Sequence, residues 1–410
     1  VHVSRGTAAD VAIVGGGIIG AATAFYLARR RTRVVLLEKA TVGSEQSGRA
    51  WGFVRRQGRP PAAMALMEGA NRVWAELGNE LGADVEFVRG GNLAVGETAA
   101  DIARLEEGYR VARDAGVGTR LLTAAEVRAL IPSMQGSWAA GLYSEDDGHA
   151  EPLAVTTAFA SAARKLGAEV REHCTALAIE THDGRVTGLE TDQGRVVASQ
   201  VVAAAGVWTA DLVRPLGIVL PLRVVRSTAA ATGPLPALTS IGVWGPILAF
   251  RQRPAGPVYL GNGYRGASAD HDITLRSFEH LALFARAYRD NWRMLRLRLG
   301  RPLVRDLAHR VRRDRRHYFL SGPWAVPRAS TRGVRWLERE LRRLFPSLGA
   351  VTVERTWAGF IELTPDLLPV LGPVGHPRGL HLAVAASHGF SMGPVIGRLL
   401  ADSIIDGRAS

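Results

Sequence analysis

One segment near the N-terminus limits what this chain can fold into more than any other. Asp10-Val11-Ala12-Ile13-Val14 has the texture of a short buried strand, and Gly15-Gly16-Gly17-Ile18-Ile19-Gly20 follows it in the pattern G-x-G-x-x-G. Ala21 to Arg30 reads as a helix with small and apolar residues on one face. Arg33 to Leu37 reads as a second strand, closed by Glu38. Gly15 permits a tight turn, Gly17 lets backbone approach a pyrophosphate, and Gly20 lets the helix pack close to the strand. Free N–H groups and the positive dipole end of the helix favour phosphate. Glu38, 18 residues after Gly20, stands where a carboxylate accepts hydrogen bonds from a ribose. Strand, glycines, helix, strand and acid in register predict a dinucleotide site. A purely structural glycine turn is the alternative. The ribose is common to NAD and to the ADP half of FAD, so the motif does not separate them.

Two features compete with this reading. Val11 to Ala28 is an uncharged run of 18 residues followed by three arginines, near the length of a membrane span. Its four glycines and the strand-like Val34 to Leu37 behind it fit the nucleotide unit better than a span or a secretory signal. Gly261-Asn262-Gly263-Tyr264-Arg265-Gly266 repeats the glycine pattern after Val258-Tyr259-Leu260. No apolar helix or acid-tipped strand follows it, so it reads as a strand and loop, leaving one dinucleotide site.

At roughly 100–200 residues per domain, a chain of 410 residues makes two or three folding units. The single cysteine, Cys174, excludes an internal disulfide and any cysteine-rich metal or iron–sulfur site within the chain. It reads as a buried thiol. No H-E-x-x-H or clustered His/Asp set supports a metal site. Nothing demands an oxidising compartment, and a cytoplasmic location is expected. The net charge is +13, with only Lys39 and Lys165 as lysines. That skew fits codon usage as well as function, but it offers anionic substrates a favourable field.

Further along, Pro61 to Leu81 has a helical pattern. Val85 to Val95, broken at Gly90-Gly91, looks like a strand pair, and Thr98 to Ala115 like a helix. Thr123-Ala124-Ala125-Glu126 is a capping box. Asp146 to Pro152 reads as a loop and Leu153 to Leu166 as a helix. Val170 to Val202 alternates like a small sheet, with turns at Asp183-Gly184 and Gln193-Gly194. Arg286 to Arg316 holds twelve arginines against three aspartates, mixed with Trp292, Met294, Leu295, Leu297 and Leu299. A solvated helix face is the first reading of this stretch. A partner-subunit or anionic-lipid surface is the second, which leaves membrane association open. Nucleic-acid binding is not expected, since no recognition motif accompanies the charge. Leu380 to Ala385 reads as a strand, Ser387 to Gly393 as a loop and Pro394 to Ile405 as a helix.

Four of these stretches together resemble the D-amino-acid-oxidase-like family of FAD-dependent amine oxidoreductases, which includes glycine and sarcosine oxidases and opine oxidase subunits. They are the N-terminal unit; Ser47-Gly48-Arg49-Ala50-Trp51-Gly52; Val201 to Trp208; and Trp357-Ala358-Gly359 through Thr364-Pro365-Asp366 to Gly372, then His388-Gly389-Phe390-Ser391-Met392-Gly393. The resemblance implies an α/β protein of glutathione-reductase type. A Rossmann-like FAD-binding domain (1–55, 150–217 and 356–410) would carry a mixed-sheet, α+β substrate domain (56–149 and 218–355). It implies FAD contacts at Gly15, Gly17, Ile18, Ile19, Gly20, Glu38, Lys39, Ser47, Gly48, Arg49, Ala50, Trp51, Ala176, Leu177, Ala205, Gly206, Trp208, His388, Gly389, Phe390, Ser391 and Met392. Covalent relatives tether the flavin through a C-terminal cysteine or a histidine after the serine-glycine pair. Arg49 stands in that histidine's place and Cys174 is remote from both, so non-covalent FAD is expected.

The implied reaction moves a hydride from the carbon beside an amine nitrogen to the flavin, giving an imine and, with oxygen, hydrogen peroxide. The cofactor supplies the hard chemistry. The alternative is the flavin subunit of an amine or opine dehydrogenase that hands electrons to a partner or a quinone. A substrate carboxylate calls for an arginine fork, with Arg55, Arg56, Arg223, Arg226, Arg265 and Arg328 as candidates. Trp357, Tyr259, Asn262 and Tyr264 are candidate pocket walls, and His149 lies in a loop that is near the substrate in relatives.

Overall fold

The computed structural model describes residues 7–254, 256–265, 269–291, 295–312, 314–322, 324 and 327–407. Gly266, Trp292 and Met294 lie outside them. The apolar run near the N-terminus is divided between the strand Thr7–Val14 and the helix Ile18–Arg29. Among the described residues no helix is long and apolar enough to cross a membrane. The junction depends on two glycines. Gly15 has φ +111°, and a Cβ there would lie 2.3 Å from the Ala204 carbonyl oxygen. A Cβ at Gly20 would lie 2.0 Å from the Gly15 carbonyl oxygen.

Thr7–Val14 is the centre of the first sheet. It pairs in parallel with Val34–Leu37 on one side and Gly194–Ala203 on the other. Glu169–Arg171 and Leu380–Val384 extend the parallel order at either side. The hairpin Ala176–His182 and Arg185–Thr191 joins Gly194–Ala203 antiparallel, as the alternation and turn residues predict. The central strands are buried on both faces and so read as continuous apolar runs; every residue of Val34–Leu37 is buried.

One face of this sheet is covered by helices Ile18–Arg29, Pro152–Lys165 and Gly389–Asp406, with Met64–Leu81 stacked beyond them. They share a core that includes Leu27, Phe159, Met67, Trp74 and Ile396. The C-terminal helix begins at Gly389, five residues before the expected Pro394. Glycine and serine in that stretch suggest a loop, but they serve helix packing. A Cβ on Gly393 would lie 2.6 Å from Ile18 Cγ2, and one on Gly397 would lie 2.5 Å from Ala22 Cβ.

Among the described residues the second sheet has ten strands. Its spine is the antiparallel pair Arg223–Pro234 and Val353–Leu363. Pro257–Asn262, Leu248–Gln252, Gly242–Trp244, Asn92–Gly96 and Ala140–Ser144 continue it in that spatial order. Helix Thr331–Leu344 packs Leu337 and Leu341 against Phe250 and Leu260.

Four expectations are revised. Residue 356 falls within Val353–Leu363, so the segment to 363 belongs to the second sheet. Met64–Leu81, placed with the substrate domain, packs on the helices of the first sheet. Only the second half of Val85–Val95 is a strand, Asn92–Gly96; the first half contributes one bridge, Val88 to His149. The expected loop 146–152 contains a short strand, Gly148–His149, paired with Phe53–Val54. Local sequence does not show such pairings, because the partner strand is remote in the chain.

Trp74 fastens the helix Met64–Leu81 to the start of the C-terminal helix. It is fully buried, its Nε1 donates to the Ser391 carbonyl at 2.7 Å, and its ring packs on Phe390. Trp74→Ala is expected to cost about 3–5 kcal/mol, read as a lowered melting temperature in calorimetry. Trp74→Phe should recover most of that loss.

Candidate active site

A cavity of about 1010 Å³ lies between the two sheets and takes its walls from both. From the first sheet come Gly15, Gly17, Ile18 and Ile19 at the strand–helix turn, then Glu38 and Lys39, then Ser47, Arg49, Ala50 and Trp51. Ala176, Ala205, Gly206 and Trp208 continue the wall, and His388, Gly389, Phe390 and Ser391 close it.

The Glu38 carboxylate is buried. Its Oε2 accepts from the Gly16 N–H at 2.7 Å and its Oε1 from the Ala40 N–H at 2.9 Å. Burial pushes its pKa up, against the pull of those two N–H groups. Ser47 Oγ accepts from the Ile18 N–H at 2.9 Å and so sits at the N-terminus of the first helix. A Cβ on Gly17 would meet that same oxygen at 3.0 Å. Lys39 Nζ lies 3.4 Å from the Trp208 ring centroid and 3.4 Å from Glu45 Oε1. Arg49 is tied to backbone: Nε donates to the Ser44 carbonyl at 3.0 Å and Nη1 to the Ala358 carbonyl at 3.3 Å.

Four of the expected contact residues are not on the wall. Gly20 and Gly48 act by absence of a side chain, since a Cβ at Gly48 would lie 2.2 Å from the Gly43 carbonyl oxygen. Met392 is fully buried in the helical core. The Leu177 carbonyl accepts from Arg315 Nε.

Expected catalytic and pocket residues are also sorted by the fold. Trp357 and Tyr259 pack edge to face at 5.5 Å and form a small cluster with Trp51; it is Trp51 that faces the cavity. A Cβ on Gly261 would lie 2.6 Å from the Trp51 ring, so that glycine makes room for the indole. Tyr264 donates to the Val95 carbonyl, away from the wall, while Asn262 lines it. Arg56 is buried in a network with Asp147 (2.8 Å) and Glu68 (2.9 Å). His149 is fully buried, with Nε2 at 3.1 Å from the Ser240 carbonyl oxygen. Arg226 pairs with Asp270 and Asp272, and Arg265 with Asp101. Arg223 lines the cavity, but its guanidinium donates to the Arg276 and Glu279 carbonyls and to Tyr288 Oη. Arg328 is exposed. Arg55 alone of the six arginines faces the cavity without such a commitment to carboxylates or to a neighbouring segment.

Residues that the sequence reading passed over complete the wall. Arg59 is one. Another pair is Gln46 and Glu362: Gln46 Nε2 donates to Glu362 Oε2, and Gln46 Oε1 accepts from the Val207 N–H at 2.9 Å. This pair ties the Ser47 turn to the Trp357 strand. A lone glutamate within the apolar run Phe360 to Leu363 was the available signal.

The family model for FAD dependent oxidoreductases (DAO) matches residues 10–403. The chain belongs to that family. It is 25% identical to glycine oxidase of Bacillus subtilis (strain 168) over 407 residues, covering 97% of this chain and 93% of that enzyme. It is 36% identical over 212 residues, 51% of this chain, to 4-methylaminobutanoate oxidase (formaldehyde-forming) of Paenarthrobacter nicotinovorans; the match spans only 26% of that protein's length. Its fold superposes on L-amino acid deaminase from Proteus myxofaciens with a TM-score of 0.90, at 24% identity, covering 100% of this chain and 93% of that one.

FAD is therefore the cofactor, and the wall fits it. The turn at Gly15–Gly17 and the first turn of Ile18–Arg29 would hold the diphosphate, and Glu38 would accept from the ribose. Among the described residues, Thr175 Oγ1, Arg59 Nε and His388 Nδ1 are buried polar atoms without a partner, and all three belong to wall residues. Buried polar groups are normally hydrogen-bonded, and these three would pair with a group bound in the cavity. The Cys174 N–H donates to the Glu38 carbonyl, which puts the chain's single cysteine beside the ribose acid. Glu38→Gln removes a charge-assisted acceptor. It is expected to weaken FAD binding by about 10–100-fold, read by flavin fluorescence on reconstitution of the apoprotein.

Four histidines are held neutral. Burial lowers His149 to about 3, with Arg251 adding to it, and lowers His271 and His381 to about 4. Burial, then Arg59 and Arg55, lowers His388 to about 2. Each titrates near about 6.5 when unfolded, so the unfolded chain binds more protons as pH falls below that value. Their contribution to stability is present above about pH 6.5 and is lost progressively toward about pH 3, at up to ~1.4 kcal/mol per pH unit for each. Melting temperatures should fall across this window, and His149→Gln, which can keep the bond to Ser240, should make the fall shallower.

Proposed function

We propose that this chain oxidises the C–N bond of an amine that carries a carboxylate, and that Arg55 and Arg59 bind that carboxylate. When bound, FAD would supply the acceptor for the hydride that leaves the carbon beside the nitrogen. The remaining work falls to the protein.

The observation that carries this reading is the pair of cavity-facing guanidiniums. Arg55 stacks its guanidinium 4.1 Å from the Trp244 ring centroid and donates from Nη1 to the Gln57 carbonyl at 2.8 Å. Burial lowers its pKa to about 10, which leaves it charged at neutral pH. Arg59 is depressed by burial and then by Arg55 itself. The carboxylate that acts on both is Asp147, and Asp147 is hydrogen-bonded to Arg56. Two like charges held together in a poorly hydrated wall repel each other. An incoming carboxylate relieves that repulsion and satisfies the orphaned Arg59 Nε. His388, kept neutral next to them, adds no competing charge. Trp51, Trp244 and Phe53 supply the apolar part of the wall and exclude water. The imine product is then hydrolysed by water. Glycine oxidase and L-amino acid deaminase, to which the chain is similar, are named for carboxylate-bearing substrates.

Arg55→Met and Arg59→Met are expected to raise KM for amino acids by about 30-fold or more, the cost of leaving a buried charge unpaired. The test is anaerobic bleaching of the flavin absorbance against amino acids and matched amines without a carboxylate. Bleaching by the simple amines alone would overturn the carboxylate assignment. Oxygen uptake with peroxide release by the same preparation marks an oxidase; turnover that requires an artificial acceptor marks the dehydrogenase alternative.

A further inference from the structure

We infer that helix Arg315–Ser321, at the end of the arginine-rich stretch, completes the site for the adenosine half of FAD and holds that half in place. Glu38, the ribose acid, marks this end of the cavity. The Cys174 N–H donates to the Glu38 carbonyl at 2.9 Å, so the segment that carries Thr175 runs beside it. Phe319 belongs to the same cavity wall, and its carbonyl accepts from Lys39 Nζ at 3.2 Å. That bond fixes Phe319 next to the residue that follows Glu38. Thr175 also lines the cavity; it is 2% exposed, and its Oγ1 has no partner among the described residues. A buried hydroxyl of that kind points to a bound polar group. Adenosine carries such groups, and its purine offers a flat face that suits an aromatic side chain.

Three further bonds fasten the helix to segments around this end. Arg315 Nε donates to the Leu177 carbonyl at 2.6 Å. Arg316 Nε donates to Asp192 Oδ2 at 3.2 Å, and Asp192 Oδ1 accepts from the Thr175 N–H at 2.8 Å. One carboxylate thus ties the helix to the residue with the orphaned hydroxyl. Tyr318 Oη donates to Asp211 Oδ1 at 2.8 Å, in the short helix Thr209–Val213 whose Leu212 lines the cavity. Asp314 caps the helix, its Oδ1 accepting from the His317 N–H at 3.0 Å.

A helix of seven residues has little stability of its own. These contacts keep it in place. Along the chain it lies between Ala269–Asp272 and Val353–Leu363, two strands of the second sheet, yet its bonds reach the nucleotide side of the molecule. The last two arginines of the basic stretch are therefore anchors at a binding site. A segment that holds a ligand is in turn steadied by that ligand, by the same free energy. FAD should steady this helix. FMN, which ends at the first phosphate and lacks adenosine, should not. The helix should correspondingly raise the preference of the chain for FAD over FMN.

The test starts from the full FAD-loaded chain, equilibrated with excess FMN. The ratio of FMN to FAD retained by the protein is then read by chromatography of the released flavins. Phe319→Ala should raise that ratio by about tenfold. Arg315→Gln combined with Tyr318→Phe loosens the helix without altering the cavity wall, and should move the ratio the same way. A general loosening of the fold would weaken both flavins alike and leave the ratio at the parent's value. In the parent itself, trypsin should cut after Arg315 or Arg316 about tenfold faster in the FMN-exchanged form than in the FAD-loaded form. A parental ratio in either variant overturns the inference, as do equal cleavage rates in the two flavin forms.

Discussion

The rest of the molecule depends on how closely two pieces of backbone meet beneath the first helix. Gly15 sits against the Ala204 carbonyl and Gly20 against the Gly15 carbonyl, at separations no Cβ tolerates. That approach keeps the central strand, the helix Ile18–Arg29 and the strand Gly194–Ala203 in one register. It also aims the helix N-terminus into the cavity, where its free N–H groups and dipole favour a diphosphate. The C-terminal helix then packs on the same helix through Gly393 and Gly397, which brings His388 and Gly389 to the wall. Small residues at successive contacts thus carry the geometry from the nucleotide end of the cavity to its far wall.

A second constraint couples the two sheets. Gln46 bonds to Glu362 and to the Val207 N–H, and Trp357 Nε1 donates to the Arg49 carbonyl at 2.9 Å. A short turn from the first sheet is therefore fastened to the spine of the second at two points. The first-sheet and second-sheet walls of the cavity are joined through these bonds. Catalytic geometry needs that kind of support, because small displacements between reacting groups are costly in rate.

Much of this was legible in the residues. The strand–glycine–helix–strand–acid unit, the capping box at Thr123 and the antiparallel hairpin at Asp183-Gly184 are local devices, and local patterns report them. The start of the C-terminal helix was not legible, because glycine and serine are loop residues unless a neighbouring helix demands them. Arg56 and His149 stand in suggestive sequence contexts, yet Asp147 holds the one and the Ser240 carbonyl the other, each reached only through long-range pairing. Among so many arginines, composition alone does not single out the pair that lines the cavity without a carboxylate ion pair among the described residues.

By itself the sequence determined the class of protein and the nucleotide end of its site, because periodicity, glycine spacing and one placed acid act over short stretches of chain. Only the tertiary structure decided which charged groups are already satisfied and which remain open, since that depends on partners brought together from remote segments. It decided in the same way that the helix Arg301–Arg312 turns Val304, Leu307 and Val311 outward. A side chain's surroundings, more than its identity, set whether it builds the fold or meets a ligand.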